Sequence, residues 1–132
     1  MPCLKVDLTG GSETGFAILK DPRGLAQFLL VPTARISGIE SPSILDPNAP
    51  NYFAAAWESR KFLYKEFGRS LRRDGIGLAI NSVVSRSQDQ LHIHIACVHT
   101  DVLRALHKNQ RQISYRWTPF RPSLLGRNYA AT

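Results

Sequence analysis

The chain is short of acidic residues, of cysteine and of long apolar runs, and each shortage narrows what it can be. Ten Asp and Glu stand against seventeen Lys and Arg, for a formal net charge of +7. That balance favours an anionic partner: a nucleotide, a phosphorylated small molecule, nucleic acid or an anionic membrane surface. The basic residues are scattered, the densest groups being Arg60-Lys61, Arg69 with Arg72-Arg73, and Arg111 through Arg127. None is the long basic tail of a nucleic-acid-binding arm. No stretch is apolar for long enough to span a bilayer, since Phe28-Leu29-Leu30-Val31 stops at Pro32. The N-terminus lacks the charged and hydrophobic regions of a secretory signal. Cysteine is limited to Cys3 and Cys97. Such a pair could tie the N-terminal arm to a central strand in an oxidising compartment, or stay reduced.

What is present is ordinary for a folded domain. A 43% hydrophobic and 20% charged composition argues against disorder, and 132 residues suit one domain spanning 1–132. Phe16 to Lys20 and Ala26 to Val31 read as a strand pair around the turn signal Asp21-Pro22-Arg23-Gly24. Ile36 to Ser41 reads as a short strand or an ordered loop. Ser41 to Pro50 reads as a proline-punctuated loop. A main helix is expected from between Pro47 and Asn51, capped by Asp46 or Asn48, to a stop at Gly68. Phe53, Ala56, Trp57, Leu63, Tyr64 and Phe67 give its apolar stripe. Ile76 to Asn81 alternates as a strand. A shorter helix opens at Thr100 or Asp101 and runs to about Asn109. Tyr115 to Thr132 has no clear periodicity. The sum is α+β: an antiparallel sheet with one main helix and a shorter helix.

The run Gln90-Leu91-His92-Ile93-His94-Ile95-Ala96-Cys97 carries the chemistry. Strand alternation puts Gln90, His92 and His94 on one face and Leu91, Ile93, Ile95 and Cys97 on the other. The second row can enter a core. The first lines up two imidazoles and an amide, where a core would take apolar groups. That row suits phosphate chemistry. A neutral imidazole is a competent nucleophile near pH 7. His92 is central, and Gln90 and His94 can support charge on the phosphate oxygens. A backbone carbonyl could hold the His92 proton on one nitrogen and aim the other at phosphorus. The preceding loop offers Arg86, Ser87 and Gln88 as an anion cradle. Asn81 could hold a sugar hydroxyl, and Lys20 is a further phosphate candidate.

Three other readings fit the same residues. His92, His94, Cys97 and His99 could hold zinc, although Cys97 should face away from the histidines. Both histidines could be structural. A module that binds a nucleotide, nucleic acid or an anionic surface without catalysis could use the charge, with Trp57, Trp117 and the tyrosines stacking on bases.

Five collinear segments then bring a resemblance: Phe16-Ala17-Ile18-Leu19-Lys20-Asp21, Phe28-Leu29-Leu30-Val31-Pro32-Thr33, Ile39-Glu40-Ser41-Pro42, Leu78-Ala79-Ile80-Asn81-Ser82, and Ser87 through Cys97. Together they resemble the CDP-diacylglycerol pyrophosphatase family, a branch of the histidine-triad (HIT-like) superfamily. The superfamily motif alternates three histidines with apolar residues, and the middle histidine is the nucleophile. Here the middle position is His92 and the third is His94. The first is Gln90, which donates hydrogen bonds but carries no positive charge.

The resemblance implies a HIT-like fold and hydrolysis of CDP-diacylglycerol to CMP and phosphatidate through a nucleotidyl-histidine intermediate, without cofactor or metal. Hydrolysis of other nucleoside diphosphate derivatives is the neighbouring alternative. It implies membrane association at the outer face of the bacterial inner membrane or in the periplasm, with contact to an anionic membrane surface and pairing as a homodimer. Nucleic acid is disfavoured as a partner. Relatives of this kind carry an N-terminal hydrophobic anchor and a C-terminal extension, which this chain is expected to lack, leaving it soluble by itself.

Overall fold

A computed structural model describes residues 3–132, with strands paired antiparallel and helices. The chain divides into two compact units, Met1–Cys97 and Val98–Thr132.

The first unit is built on five strands: β1 (Cys3–Asp7), β2 (Phe16–Lys20), β3 (Gln27–Pro32), β4 (Ile76–Ala79) and β5 (Ile93–Cys97). They pair antiparallel in the order β1-β2-β3-β5-β4. The expected β2–β3 hairpin is present. Its turn closes where the Asp21 amide donates to the Gln27 carbonyl at 2.9 Å, while buried Asp21 accepts the Arg23 amide on Oδ1 at 2.8 Å. That bond is the local side-chain-to-backbone pattern that makes Asp a turn former.

Directly opposed residues share a face of a sheet, so the register sorts the side chains. Ile18, Leu30 and Ile93 form one row and Phe28, Ile95 and Leu78 the next. These aliphatic rows are the core, with Ile18, Leu30, Ile93 and Ile95 fully buried. Leu19, Leu29, His94 and Ala79 form a row on the opposite face, which stays half-buried or exposed. Two adjacent residues, Ile93 and His94, thus serve core and site separately.

The single main helix expected from the sequence is two, α1 (Tyr52–Glu58) and α2 (Lys61–Phe67). The break is at Ser59-Arg60. Ser59 Oγ donates to the Ala55 carbonyl at 2.8 Å, and the amides of Arg60, Phe62 and Leu63 bond three residues back instead of four. A hydroxyl turned onto its own helix competes with the regular ladder and bends it. The cap is Asn51, whose Oδ1 accepts the Ala54 amide at 2.9 Å, rather than Asp46 or Asn48. Those two lie in a loop, where Asp46 accepts the Asn48 amide. Gly68 ends α2 at φ +65°, the left-handed geometry a glycine adopts without cost. Tyr52, Ala56 and Leu63 are buried in the core cluster. Residues 36–41 are loop, and Pro42–Leu45 is a 3-10 turn.

A Cys3–Cys97 bridge is ruled out by the strand order. Cys3 is on β1 and Cys97 on β5, three strand spacings or about 14 Å apart. Bridged cysteines need Cα atoms within about 7 Å. Both are free and exposed.

The second unit holds α3 (Thr100–Asn109), which packs on β6 (Thr118–Leu124), and β6 pairs antiparallel with β7 (Arg127–Ala131). The start of α3 is capped by His99, whose Nδ1 accepts the Asp101 amide at 3.2 Å. The hairpin falls where no periodicity is legible. Pro119 and Pro122 interrupt β6, and the turn uses Leu125 at φ +50° before Gly126 at φ +78°. Leucine in the left-handed region is uncommon and carries no turn signature.

Candidate active site

The histidine segment enters the sheet later than alternation suggests. β5 begins at Ile93, and its last registered partner on β3 is Leu30. Two residues beyond, β3 ends at Pro32, which has no amide hydrogen to donate to a ladder. Gln90, Leu91 and His92 therefore precede the strand. Their alternation persists: Leu91 is buried in the core, and its amide donates to the Ile36 carbonyl.

His92 and His94 face one another with ring centroids 5.2 Å apart in an edge-on arrangement. His92 is buried to 7% exposure. Its Nδ1 lies 2.8 Å from the Gln90 carbonyl oxygen. A carbonyl only accepts, so this contact places the proton on Nδ1 and leaves the Nε2 lone pair free.

His94 lies between two side-chain amides, and only the nearer can be a hydrogen bond to the neutral ring. Gln27 Nε2 lies 2.7 Å from its Nδ1, and Asn81 Nδ2 lies 3.5 Å from its Nε2. Burial first, then the neighbouring His92 ring and the Arg23 guanidinium, press its pKa below the usual histidine value; Asp21 opposes them. A carboxylate and a guanidinium from the β2–β3 turn thus act on the same imidazole.

Sequence reasoning misses Gln27, Asp21 and Arg23 as site residues. A signal for Gln27 exists, as the polar residue heading the apolar strand Gln27-Phe28-Leu29-Leu30-Val31. Its contact with His94 needs the β3–β5 pairing, in which Leu29 opposes His94 across more than sixty residues of chain.

The other expected site residues divide. Asn81 is brought to His94. Gln90 is beside His92, but its side chain points to backbone: Nε2 donates to the carbonyls of Pro32 at 3.0 Å and Ala34 at 2.9 Å. Both N–H donors are thereby occupied within the chain, so the expected bond from Gln90 to a phosphate oxygen is not available in this arrangement. Arg86 is likewise held. Its Nη1 donates to both Glu40 oxygens at 2.7 and 2.8 Å, and its Nε to Asp89 at 2.9 Å, with the side chain 6% exposed. The bond from Glu40's own amide, then the Arg86 guanidinium, hold the Glu40 carboxyl below its ordinary pKa. A Cβ on Gly38 would overlap Arg86 Nη1, so glycine there makes room for the clamp. Ser87 and Gln88 are exposed and make no side-chain hydrogen bond among the described residues.

Lys20 is not brought to the histidines. It opposes Phe28 in the register, on the core side of the sheet, and its Nζ pairs with Glu66 on α2. The zinc set is not assembled either. Cys97 opposes Ile76 and shares the face of Ile95, away from His94, and no three His, Cys, Asp or Glu side chains converge among the described residues. A cleft of about 660 Å³ lined by Trp57, Arg72, Arg73, Asp74 and Ile76 includes none of the site residues.

Two comparisons bear on what this geometry is for. A family model described as CDP-diacylglycerol pyrophosphatase matches residues 1–132. A CDP-diacylglycerol pyrophosphatase of Yersinia pestis is 45% identical over 128 residues, covering 97% of this chain and 48% of the relative. The chain thus spans about half the length of the curated relative it matches.

Proposed function

The chain belongs to the CDP-diacylglycerol pyrophosphatase family, and we propose that it carries that chemistry: hydrolysis of CDP-diacylglycerol to CMP and phosphatidate, with His92 as the nucleophile. The observation that carries the reading is the 2.8 Å contact between His92 Nδ1 and the Gln90 carbonyl. It fixes one tautomer and leaves the Nε2 lone pair free on a ring that stands against His94.

In this reading His92 Nε2 attacks the cytidylyl phosphorus. The P–O bond to phosphatidate breaks, and the nucleotide is left on nitrogen. Water then attacks the same phosphorus, the N–P bond breaks with its electron pair returning to Nε2, and the water proton leaves with the products. His94, accepting on Nδ1 from Gln27, presents Nε2–H as a donor to phosphate oxygen. Asn81 lies beside that nitrogen and can bind a sugar hydroxyl or a phosphate oxygen. Donors placed where charge develops are the most effective form of transition-state support. Ser87 and Gln88, without side-chain partners among the described residues, are the loop residues free to meet the phosphates. Arg86 serves by holding that loop to Glu40.

The same proposal includes the HIT-like fold assignment, supported by the antiparallel sheet and the pair of histidines at the start of an inner strand. It includes a homodimer, on the resemblance. It includes association with an anionic membrane, at the outer face of the inner membrane or in the periplasm, supported by the net charge of +7. No helix among the described residues is long and apolar enough to cross a membrane.

Phosphorus NMR of the protein with CDP-diacylglycerol in detergent, without added metal, tests the activity. CMP and phosphatidate should form with the unaltered protein and not with His92→Ala. Rapid quench should trap a nitrogen-bound nucleotide on the unaltered chain. Equal turnover by both proteins would overturn the role of His92, and no turnover of CDP-diacylglycerol or CDP-alcohols would overturn the activity.

A further inference from the structure

Gln90 stands where the histidine-triad motif has its first histidine, yet its side chain is turned away from the reacting face. The reason lies in how the β3–β5 ladder ends. Past the Leu30–Ile93 pair, Val31 and His92 would face one another without exchanging backbone bonds; the next pair that could exchange them would be Pro32 and Leu91, and Pro32 offers a carbonyl but no amide hydrogen. The backbone alone therefore cannot continue the ladder, and the Pro32 and Ala34 carbonyls need other donors. The Gln90 amide nitrogen supplies both, at 3.0 and 2.9 Å. With the Leu91 amide on the Ile36 carbonyl, three hydrogen bonds fasten residues 90–91 to residues 32–36. The carbonyl carried by that fastened stretch is Gln90's own, the acceptor for His92 Nδ1.

We propose that the Gln90 side chain is a positioning residue for His92: by standing in for the missing ladder bonds it fixes the carbonyl that sets the tautomer and direction of the nucleophile. Its kinetic consequence rests on the function proposed above. The geometry also explains why glutamine occupies the place. One amide nitrogen can donate to two carbonyls at once, whereas an imidazole has at most one N–H on each of two nitrogens that point apart. Completing the triad with a histidine would break at least one of the two bonds. It would lower activity instead of raising it.

The test compares the unaltered protein with Gln90→His and with Gln90→Met, which keeps the length and removes the donors. Nitrogen-15 NMR of the imidazoles reads the His92 tautomer, and kcat and KM for CDP-diacylglycerol are measured beside it. The expected result is loss of the single Nδ1–H tautomer in both variants. A fall in kcat of about five- to thirtyfold should accompany it, with KM within about twofold, as loss of one or two net hydrogen bonds predicts. Wild-type kcat with an unchanged His92 tautomer, or a Gln90→His protein faster than the original, would overturn the proposal. Exchange of the Gln90 side-chain amide protons in the unaltered protein decides the matter even if a variant does not fold. They should exchange more slowly than those of exposed Gln88, and equal rates would refute the clamp. If the unaltered protein turns nothing over, the proposed function fails, while the tautomer and exchange measurements still judge Gln90.

Discussion

Replacing Gln27 by glutamate should raise the titration midpoint of His94. In the native chain a neutral amide lies 2.7 Å from Nδ1, and burial, His92 and Arg23 keep the ring below the ordinary histidine value of 6.5. Gln27→Glu keeps the size and puts a carboxylate at the same nitrogen. An opposite charge within about 4–6 Å raises a histidine pKa by about 1–3 units. The midpoint of the variant should therefore lie above that of the native chain. Asp21 and Arg23 act on this ring in both proteins, so the difference between them reports the residue at position 27. Gln27→Leu removes the partner without adding charge. It should leave the midpoint depressed while freeing the tautomer, since a net hydrogen bond of about 1 kcal/mol fixes a ratio near fivefold. Titration of the His94 ring proton by NMR, assigned with His94→Gln, reads all three proteins. A glutamate variant titrating at or below the native midpoint would refute the contact and the placement of β3 against the site.

Other outcomes follow from the same geometry. Lys20→Ala should leave kcat and KM within about twofold, because Lys20 pairs with Glu66 on the core side of the sheet, and should cost under about 1 kcal/mol in urea unfolding as a part-exposed pair. Arg86→Ala should raise KM and speed amide exchange in residues 82–89, and Gly38→Ala should do the same to a smaller degree, because its Cβ would push aside the flexible end of the Arg86 side chain; wild-type kinetics in Arg86→Ala would refute the clamp. The folded-state pKa of His94 is lowered, so its contribution to stability is complete above pH about 6.5 and is lost as pH falls from there through the folded midpoint. Urea midpoints between about pH 7 and 5 should therefore fall more steeply for the native chain than for His94→Gln. Asn51→Ala removes the cap of α1 and should cost about 1 kcal/mol by the same assay.

The sequence makes the sheet legible where alternation is strong. Phe16 to Lys20 and the start of Ile76 to Asn81 are strands, and the expected strand from Ala26 to Val31 is found one residue later, as Gln27–Pro32. The pairing of His92 with His94, and the carbonyl behind His92, are also within reach, because period-two geometry is local. What is not legible depends on partners far along the chain. Arg86 reads as a phosphate ligand because nothing local indicates that Glu40 will take its guanidinium. Lys20 reads as a site residue because its face is settled only by pairing with Phe28. The β6–β7 hairpin is hidden by two prolines and a leucine in a glycine-like conformation. The Ser59 break interrupts an apolar stripe that continues across it, so periodicity does not reveal it.

The strand order has a consequence for how the face that carries His94 comes into being. β1, β2 and β3 are neighbours in sequence as in space, and the β2–β3 hairpin closes around a handful of residues. β5 must cross a span of about 60 residues to reach β3, a closure costing roughly 2 kcal/mol more in chain entropy than the hairpin. The ladder that sets His94 beside Gln27 is thus the slow, long-range step of folding. During synthesis the meander can form while the histidines are still inside the ribosome. Until β5 docks, His94 has neither Gln27 nor Asn81 beside it, so refolding followed by the His94 ring signal should not precede refolding followed by strand signal.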